Sequence, residues 1–115
     1  MAKILIVDDE PLIAMLVQDW IADMGHETVG PAHSLKEAQA LLDAPLEGAI
    51  IDLTLGGESG GPIAEALAAR GTPFVYATGL ADDPFEGLPK AAGVLLKPFS
   101  FEALEAAVRA MLPPA

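Results

Sequence analysis

Several polar side chains stand where a run of apolar residues ends. Asp8 and Asp9 follow Ile4-Leu5-Ile6-Val7, Asp52 follows Ala49-Ile50-Ile51, Thr78 follows Phe74-Val75-Tyr76-Ala77, and Lys97 follows Val94-Leu95-Leu96. Three carboxylates gathered in one crevice repel one another strongly without a cation among them. A hard divalent ion with oxygen ligands relieves that repulsion, and Mg²⁺ suits a site with few carboxylates and retained waters. A carboxylate is also a nucleophile towards phosphorus and forms an aspartyl phosphate. In such a reaction Lys97 would pair with the added negative charge. The Thr78 hydroxyl would donate a hydrogen bond to a phosphoryl oxygen.

These groups meet only if the apolar runs are strands with their carboxyl ends on one side. The rhythm of the chain supports that. Ile4 to Val7 is a continuous aliphatic run, the pattern of a strand buried on both faces. Pro11 suits a first helical turn, and Leu12, Ile13, Leu16, Val17, Trp20, Ile21 and Met24 recur at helical spacing before Gly25. Glu27 to Val29 reads as a weaker strand. Ser34-Leu35-Lys36-Glu37 has the form of a capping box opening a helix with Leu35, Ala38, Leu41 and Leu42 on one side. Gly48 to Leu53 reads as the third strand, and Gly56 to Gly61 as a flexible loop. A helix over Pro62–Arg70 follows, then strands at Phe74–Ala77 and Val94–Leu96. Ser100 caps a last helix with Leu104, Ala107, Val108 and Met111 on its buried side. Strands alternating with helices imply a parallel sheet covered on both faces, with ligands beyond the carboxyl ends of the strands. Between Thr78 and Val94 the rhythm breaks. Pro84, Gly87 and Pro89 would each damage a helix interior, so a fourth helix there is expected to be short, distorted or mobile.

Composition narrows the function. At 115 residues the chain is one domain long, and 52% of it is hydrophobic, which excludes a disordered chain. Six Lys and Arg against 17 Asp and Glu give a net charge of −11. Such a surface repels nucleic acid and anionic lipid, so neither is an expected partner. The chain has no cysteine, which excludes disulfides and thiol catalysis. The apolar run before Asp8 is too short for a signal peptide or a membrane span, so a cytoplasmic protein is expected.

Taken in order, Val7-Asp8-Asp9-Glu10, Ile51-Asp52-Leu53, Ala77-Thr78-Gly79 and Lys97-Pro98-Phe99 resemble the motifs of response-regulator receiver domains of two-component signalling. Any one of them is weak alone; four at this spacing are strong. The resemblance covers essentially the whole chain. It implies a flavodoxin-like (βα)5 doubly wound sheet of strand order 2-1-3-4-5, as a receiver domain over residues 1–115 with no output domain. It implies phosphorylation of Asp52, with Thr78 and Lys97 on the phosphoryl group. It implies Mg²⁺ held by Asp9, Asp52 and the main-chain carbonyl of Thr54, with Asp8 acting mainly through water. A cis Lys97-Pro98 bond is usual in the family. Expected partners are a sensor histidine kinase and a histidine phosphotransfer protein or downstream protein target.

The chain also departs from the family pattern. Val94 stands where receivers carry the aromatic that switches with Thr. Tyr76-Ala77-Thr78-Gly79, with the proline-broken segment behind it, is similar to an alphaproteobacterial single-domain subgroup named for a Phe-Ala-Thr-Gly-type motif. Leu80 fits that motif and Ala81 does not. Thr54 and Leu80 offer little to orient an attacking water, so self-dephosphorylation is expected to be slow. The segment 79–92 is the expected reporter of modification.

Two other classes compete. One is a phosphatase of the haloacid-dehalogenase type, whose nucleophile ends the first core strand rather than the third. The other is a pseudo-receiver that binds partners without phosphorylation, against which the full Asp, Thr and Lys set argues. Trp20 and Tyr76 read as packing residues, His26 and His33 as surface residues, and Glu10, Asp82 and Asp83 as solvated acids.

Overall fold

A computed structural model describes residues 2–79 and 87–112. In chain order the elements are β1 (Lys3–Val7), α1 (Pro11–Asp23), β2 (Glu27–Ala32), α2 (Leu35–Leu41), β3 (Gly48–Asp52), β4 (Thr54–Leu55), β5 (Glu58–Ser59), α3 (Gly61–Arg70), β6 (Phe74–Thr78), β7 (Gly93–Leu96) and α4 (Phe101–Met111). Five strands form one parallel sheet in the order β2-β1-β3-β6-β7. That is the flavodoxin-like receiver order, with the small β4–β5 hairpin counted separately.

Alternation along each strand divides the core into two layers. Ile4, Ile6, Ile50, Val75 and Ala77 face Ala14, Val17 and Ile21 of α1 and Leu104, Val108 and Met111 of α4. Leu5, Val7, Ala49, Ile51, Phe74 and Tyr76 face Ile63, Ala64 and Leu67 of α3 and Ala38 of α2. Burial on both faces is why the central strands carry apolar residues at consecutive positions. Each fully buried Ile or Leu contributes about 1.5–3 kcal/mol over its exposed state. Trp20 packs edge-on against Phe101, and Phe74 against Tyr76, so both Trp20 and Tyr76 are packing residues.

Several sequence expectations change. Leu12 and Leu16 share the helical spacing of α1 but are 76% and 44% exposed. The line through Ala14, Val17 and Ile21 faces the sheet instead, and periodicity alone does not choose between adjacent stripes. The weak second strand runs on to Ala32 through a cis Gly30-Pro31 bond. There the β1–β2 register slips, Leu5 pairing with Val29 and Val7 with Ala32. The loop expected at Gly56–Gly61 opens as the β4–β5 hairpin. Gly56 and Gly57 form its two-residue turn at φ 56° and 90°, the positive values a type I′ turn requires. Ser34 Oγ accepts the Glu37 N–H at 3.1 Å and Ser100 Oγ accepts the Ala103 N–H at 3.1 Å, as both caps require. The expected distorted fourth helix falls largely on 80–86, as do Leu80, Ala81, Asp82, Asp83 and Pro84; these lie outside the described residues. The described stretch 87–92 is turn and irregular chain leading into β7.

Candidate functional site

Parallel pairing brings the carboxyl ends of β1, β3, β6 and β7 to one side of the molecule. Ile51 pairs with Val7, and Asp52 pairs with Ala77. Asp8 therefore stands one residue beyond β3's neighbour, and Thr78 one residue beyond the partner of Asp52. Thr78 pairs with Leu96, and its carbonyl accepts the Lys97 N–H at 2.8 Å. The register of the sheet thus delivers Asp8, Asp52, Thr78 and Lys97 to one crevice. Asp8, Asp52 and Thr78 are the buried polar residues of the described chain.

Lys97 ties the carboxylates together. Its Nζ lies 3.0 Å from Asp8 Oδ2, 3.0 Å from Asp52 Oδ2 and 3.5 Å from Glu10 Oε1. The other Asp52 oxygen, Oδ1, accepts the Thr54 N–H at 3.0 Å. Burial pushes the Asp52 carboxyl up to about 6 from its ordinary 3.8. The Thr54 hydrogen bond and Lys97 pull it down, and the charge of Asp8 adds to the rise. Burial also works against the Lys97 ammonium. The hydrogen bonds and charges of Asp52 and Asp8 outweigh it and hold the lysine above its usual range. The Lys97 ammonium thus stands between the two buried carboxylates of Asp8 and Asp52 and offsets their mutual repulsion.

The donor set also suits a divalent ion. Oxygens of Asp8, Asp9 and Glu10 lie within 4.8 Å of one another. These are hard ligands of the kind Mg²⁺ prefers. Asp9 Oδ2 accepts the Gly56 N–H at 2.8 Å, so the hairpin turn holds the second acid of the motif. Thr54 directs its N–H to Asp52 and not to Ser59, its hairpin partner. Through that N–H the Thr54 main chain adjoins the Asp52 carboxylate. The Lys97-Pro98 bond is cis, as expected.

Three contributors were missed by sequence reasoning. Glu10 is the solvated acid expected, exposed at the surface, and what the sequence does not show is that it also reaches Lys97 at 3.5 Å; its one signal is its place directly after Asp8-Asp9. His33, taken for a surface residue, is half-buried with Nδ1 2.9 Å from the Asp8 carbonyl oxygen. His26 is also half-buried, its Nδ1 accepting the Ala2 N–H at 3.0 Å. Gly60 is the third: a Cβ there would lie 2.4 Å from the Asp52 carbonyl oxygen. Val94, in place of the switch aromatic, is 45% exposed on the edge strand. The nearby ring is Tyr76 on β6, whose hydroxyl donates to the Pro89 carbonyl at 2.6 Å.

An open parallel α/β sheet with an acidic, lysine-bridged crevice at its carboxyl edge defines the class of protein. Within that class the chain belongs to the response-regulator receiver domain family, whose profile matches residues 4–109. It is 31% identical to the two-component response regulator PhoP of Pseudomonas aeruginosa over 96% of this chain and 51% of PhoP. The chain therefore spans about half the length of that curated relative. The solution structure of SdrG from Sphingomonas melonis is similar with a TM-score of 0.79 and 40% identity, over 96% of both chains. TrrA of Thermotoga maritima, solved in complex with Mg²⁺ and BeF, is similar with a TM-score of 0.81 and 25% identity, over 97% of this chain and 100% of TrrA. Among the described residues no helix is long and apolar enough to cross a membrane.

Proposed function

We propose that this chain is a cytoplasmic signalling receiver that accepts a phosphoryl group on Asp52 from a sensor histidine kinase in the presence of Mg²⁺. The observation that carries the reading is the placement of Lys97 Nζ 3.0 Å from both Asp52 and Asp8, across separate strand ends. When bound, Mg²⁺ neutralises charge on the phosphoryl oxygens and the carboxylates. Asp8 and Asp9, with Glu10 beside them, would hold it together with Asp52 and the Thr54 carbonyl.

This chain's own residues supply the rest. Asp52 attacks phosphorus as the carboxylate; a new O–P bond forms as the N–P bond to the donor imidazole breaks, and the imidazole leaves neutral, keeping the proton already on its other ring nitrogen. Burial keeps Asp52 protonated up to about 6, so the nucleophile is available at neutral pH. Lys97 pairs with the new dianion and the Thr78 hydroxyl donates to it. The chain acts as phosphoacceptor and not as an enzyme on outside substrates. It signals by binding a downstream protein or by passing the group to a histidine phosphotransfer protein. Exposed Leu12, Met15 and Leu16 of α1, the helix that opens directly after the acidic turn, offer such proteins an apolar surface. Tyr76-Ala77-Thr78-Gly79 and the absent ring at Val94 favour the single-domain subgroup.

Incubation with acetyl phosphate and Mg²⁺, read by intact mass, tests the reading. A single persistent phosphoryl addition is expected, lost in D52N and in EDTA. No addition would leave a pseudo-receiver; sustained turnover of phosphoesters would indicate a phosphatase. Either result defeats the proposal.

A further inference from the structure

The acidic turn after β1 is gripped by a residue outside its motif. His33 directly follows β2, 25 positions along the chain from Asp8. Its Nδ1 lies 2.9 Å from the Asp8 main-chain oxygen. A carbonyl oxygen only accepts, so Nδ1 carries a proton and donates. The His33 main chain is itself held, through its backbone N–H. The His33 N–H donates to Glu37 Oε1 at 2.9 Å, and Glu37 lies in the first turn of α2, capped by Ser34.

Asp8 is fixed at its other polar atoms as well. Its N–H donates to the Ala32 carbonyl at 2.9 Å, Oδ1 accepts the Glu10 N–H at 2.9 Å, and Oδ2 pairs with Lys97. The remaining polar atom, the carbonyl, belongs to the peptide that joins Asp8 to Asp9. The rotation of that peptide sets the direction in which the Asp9 and Glu10 carboxylates leave the turn. His33 is the group that holds it.

We propose that His33 is a positioning residue for the divalent-cation site, acting through the Asp8–Asp9 peptide rather than by touching the ion. This rests on the cation reading given above. His26 supplies an internal contrast: its Nδ1 accepts from a backbone N–H, so its ring proton sits on Nε2. The two imidazoles hold opposite tautomers, and only His33 adjoins the acidic turn.

Wild type, H33F and H33N, stripped with EDTA, are titrated with Mg²⁺ by calorimetry at neutral pH. H33F keeps a ring and loses the donor, and is expected to bind about tenfold more weakly. H33N places an amide N–H close to where Nδ1 stood and is expected to recover to within about threefold of wild type. Thermal melts in EDTA run alongside, because a purely structural role would lower the melting temperature and leave Mg²⁺ affinity unchanged. Long-range ¹H–¹⁵N spectra of the wild type, at a pH where both rings are neutral, are expected to show protons on His33 Nδ1 and His26 Nε2. H33F binding as tightly as wild type overturns the inference and leaves the cation reading standing. So does H33N binding as weakly as H33F, or a His33 proton on Nε2. A wild type that takes up no Mg²⁺ overturns both.

Discussion

Asp52 is a charge kept where burial disfavours it. Its carboxyl sits at about 6 in the folded protein against an ordinary 3.8. The folded state therefore holds that proton more tightly than the unfolded chain does. Between about pH 4 and pH 6 the unfolded chain has released it and the folded one has not. Stability from this group is complete below the lower value and is lost as pH rises through the upper one. An isosteric amide removes the linkage and keeps an oxygen to accept the Thr54 N–H. D52N in EDTA is expected to match wild type near pH 4. Its advantage should then grow to about 1–3 kcal/mol above pH 7. Urea denaturation across that range measures the difference, in which the other carboxylates cancel. A gap that is flat with pH, or that shrinks as pH rises, would contradict the assignment of cause. The same cost is the chemical asset of the site. A desolvated carboxylate held by one backbone N–H at Oδ1 and by a lysine at Oδ2 is poised to exchange the lysine's attention for a phosphoryl group.

At the scale of elements, the hairpin between β3 and α3 shows two glycines needed for different reasons. Gly57 has φ 90° and nothing within 4 Å of a built Cβ, so an alanine there meets only backbone strain. Gly60 has φ −75° and ψ −1°, which any residue adopts, yet its Cβ would strike the Asp52 carbonyl oxygen at 2.4 Å and Ile51 Cγ2 at 2.8 Å. G57A is expected to cost about 1 kcal/mol and leave phosphoryl uptake intact. G60A is expected to cost about 2–3 kcal/mol, because the struck backbone belongs to a central strand, and to slow uptake by moving Asp52. Equal effects of the two on uptake would refute the distinction. The sequence shows the turn as a Gly-Gly pair but not the hairpin, whose strands of two residues are too short to display alternation. It shows Asp8, Asp52, Thr78 and Lys97 because each directly follows an apolar run. It hides His33 because only the β1–β2 register, slipped around Gly30-Pro31, brings that ring to Asp8. It overstates the buried side of α1, since Leu12 and Leu16 obey the same spacing as the stripe that packs. A strand crossing Gly30-Pro31 is equally illegible, because that dipeptide ordinarily punctuates structure.

Across the whole molecule, acidity acts in two ways that one experiment separates. A net charge of −11 repels itself over the entire surface, and that repulsion is screened by any salt. The crevice sets Asp8, Glu10 and Asp52 on one lysine, with Asp9 beside Asp8 and Glu10, and a divalent ion bound there stabilises the fold by mass action. Raising KCl from about 20 mM to about 0.5 M is expected to lift the melting temperature by a few degrees through screening alone. MgCl₂ at matched ionic strength is expected to lift it further, by an amount that grows with the logarithm of its concentration once the site is saturated. In the D9N/D52N double variant the KCl response should persist, since most of the surface charge remains, while the additional Mg²⁺ response should vanish. Should Mg²⁺ do no more than KCl for the wild type, the acids at the strand ends would be part of a general field and not a cation site. Should the extra response survive in the double variant, the ion would be held elsewhere on the acidic surface. The strand register places these acids together regardless of salt, so only a localised response to Mg²⁺ connects the shape of the sheet to phosphoryl chemistry.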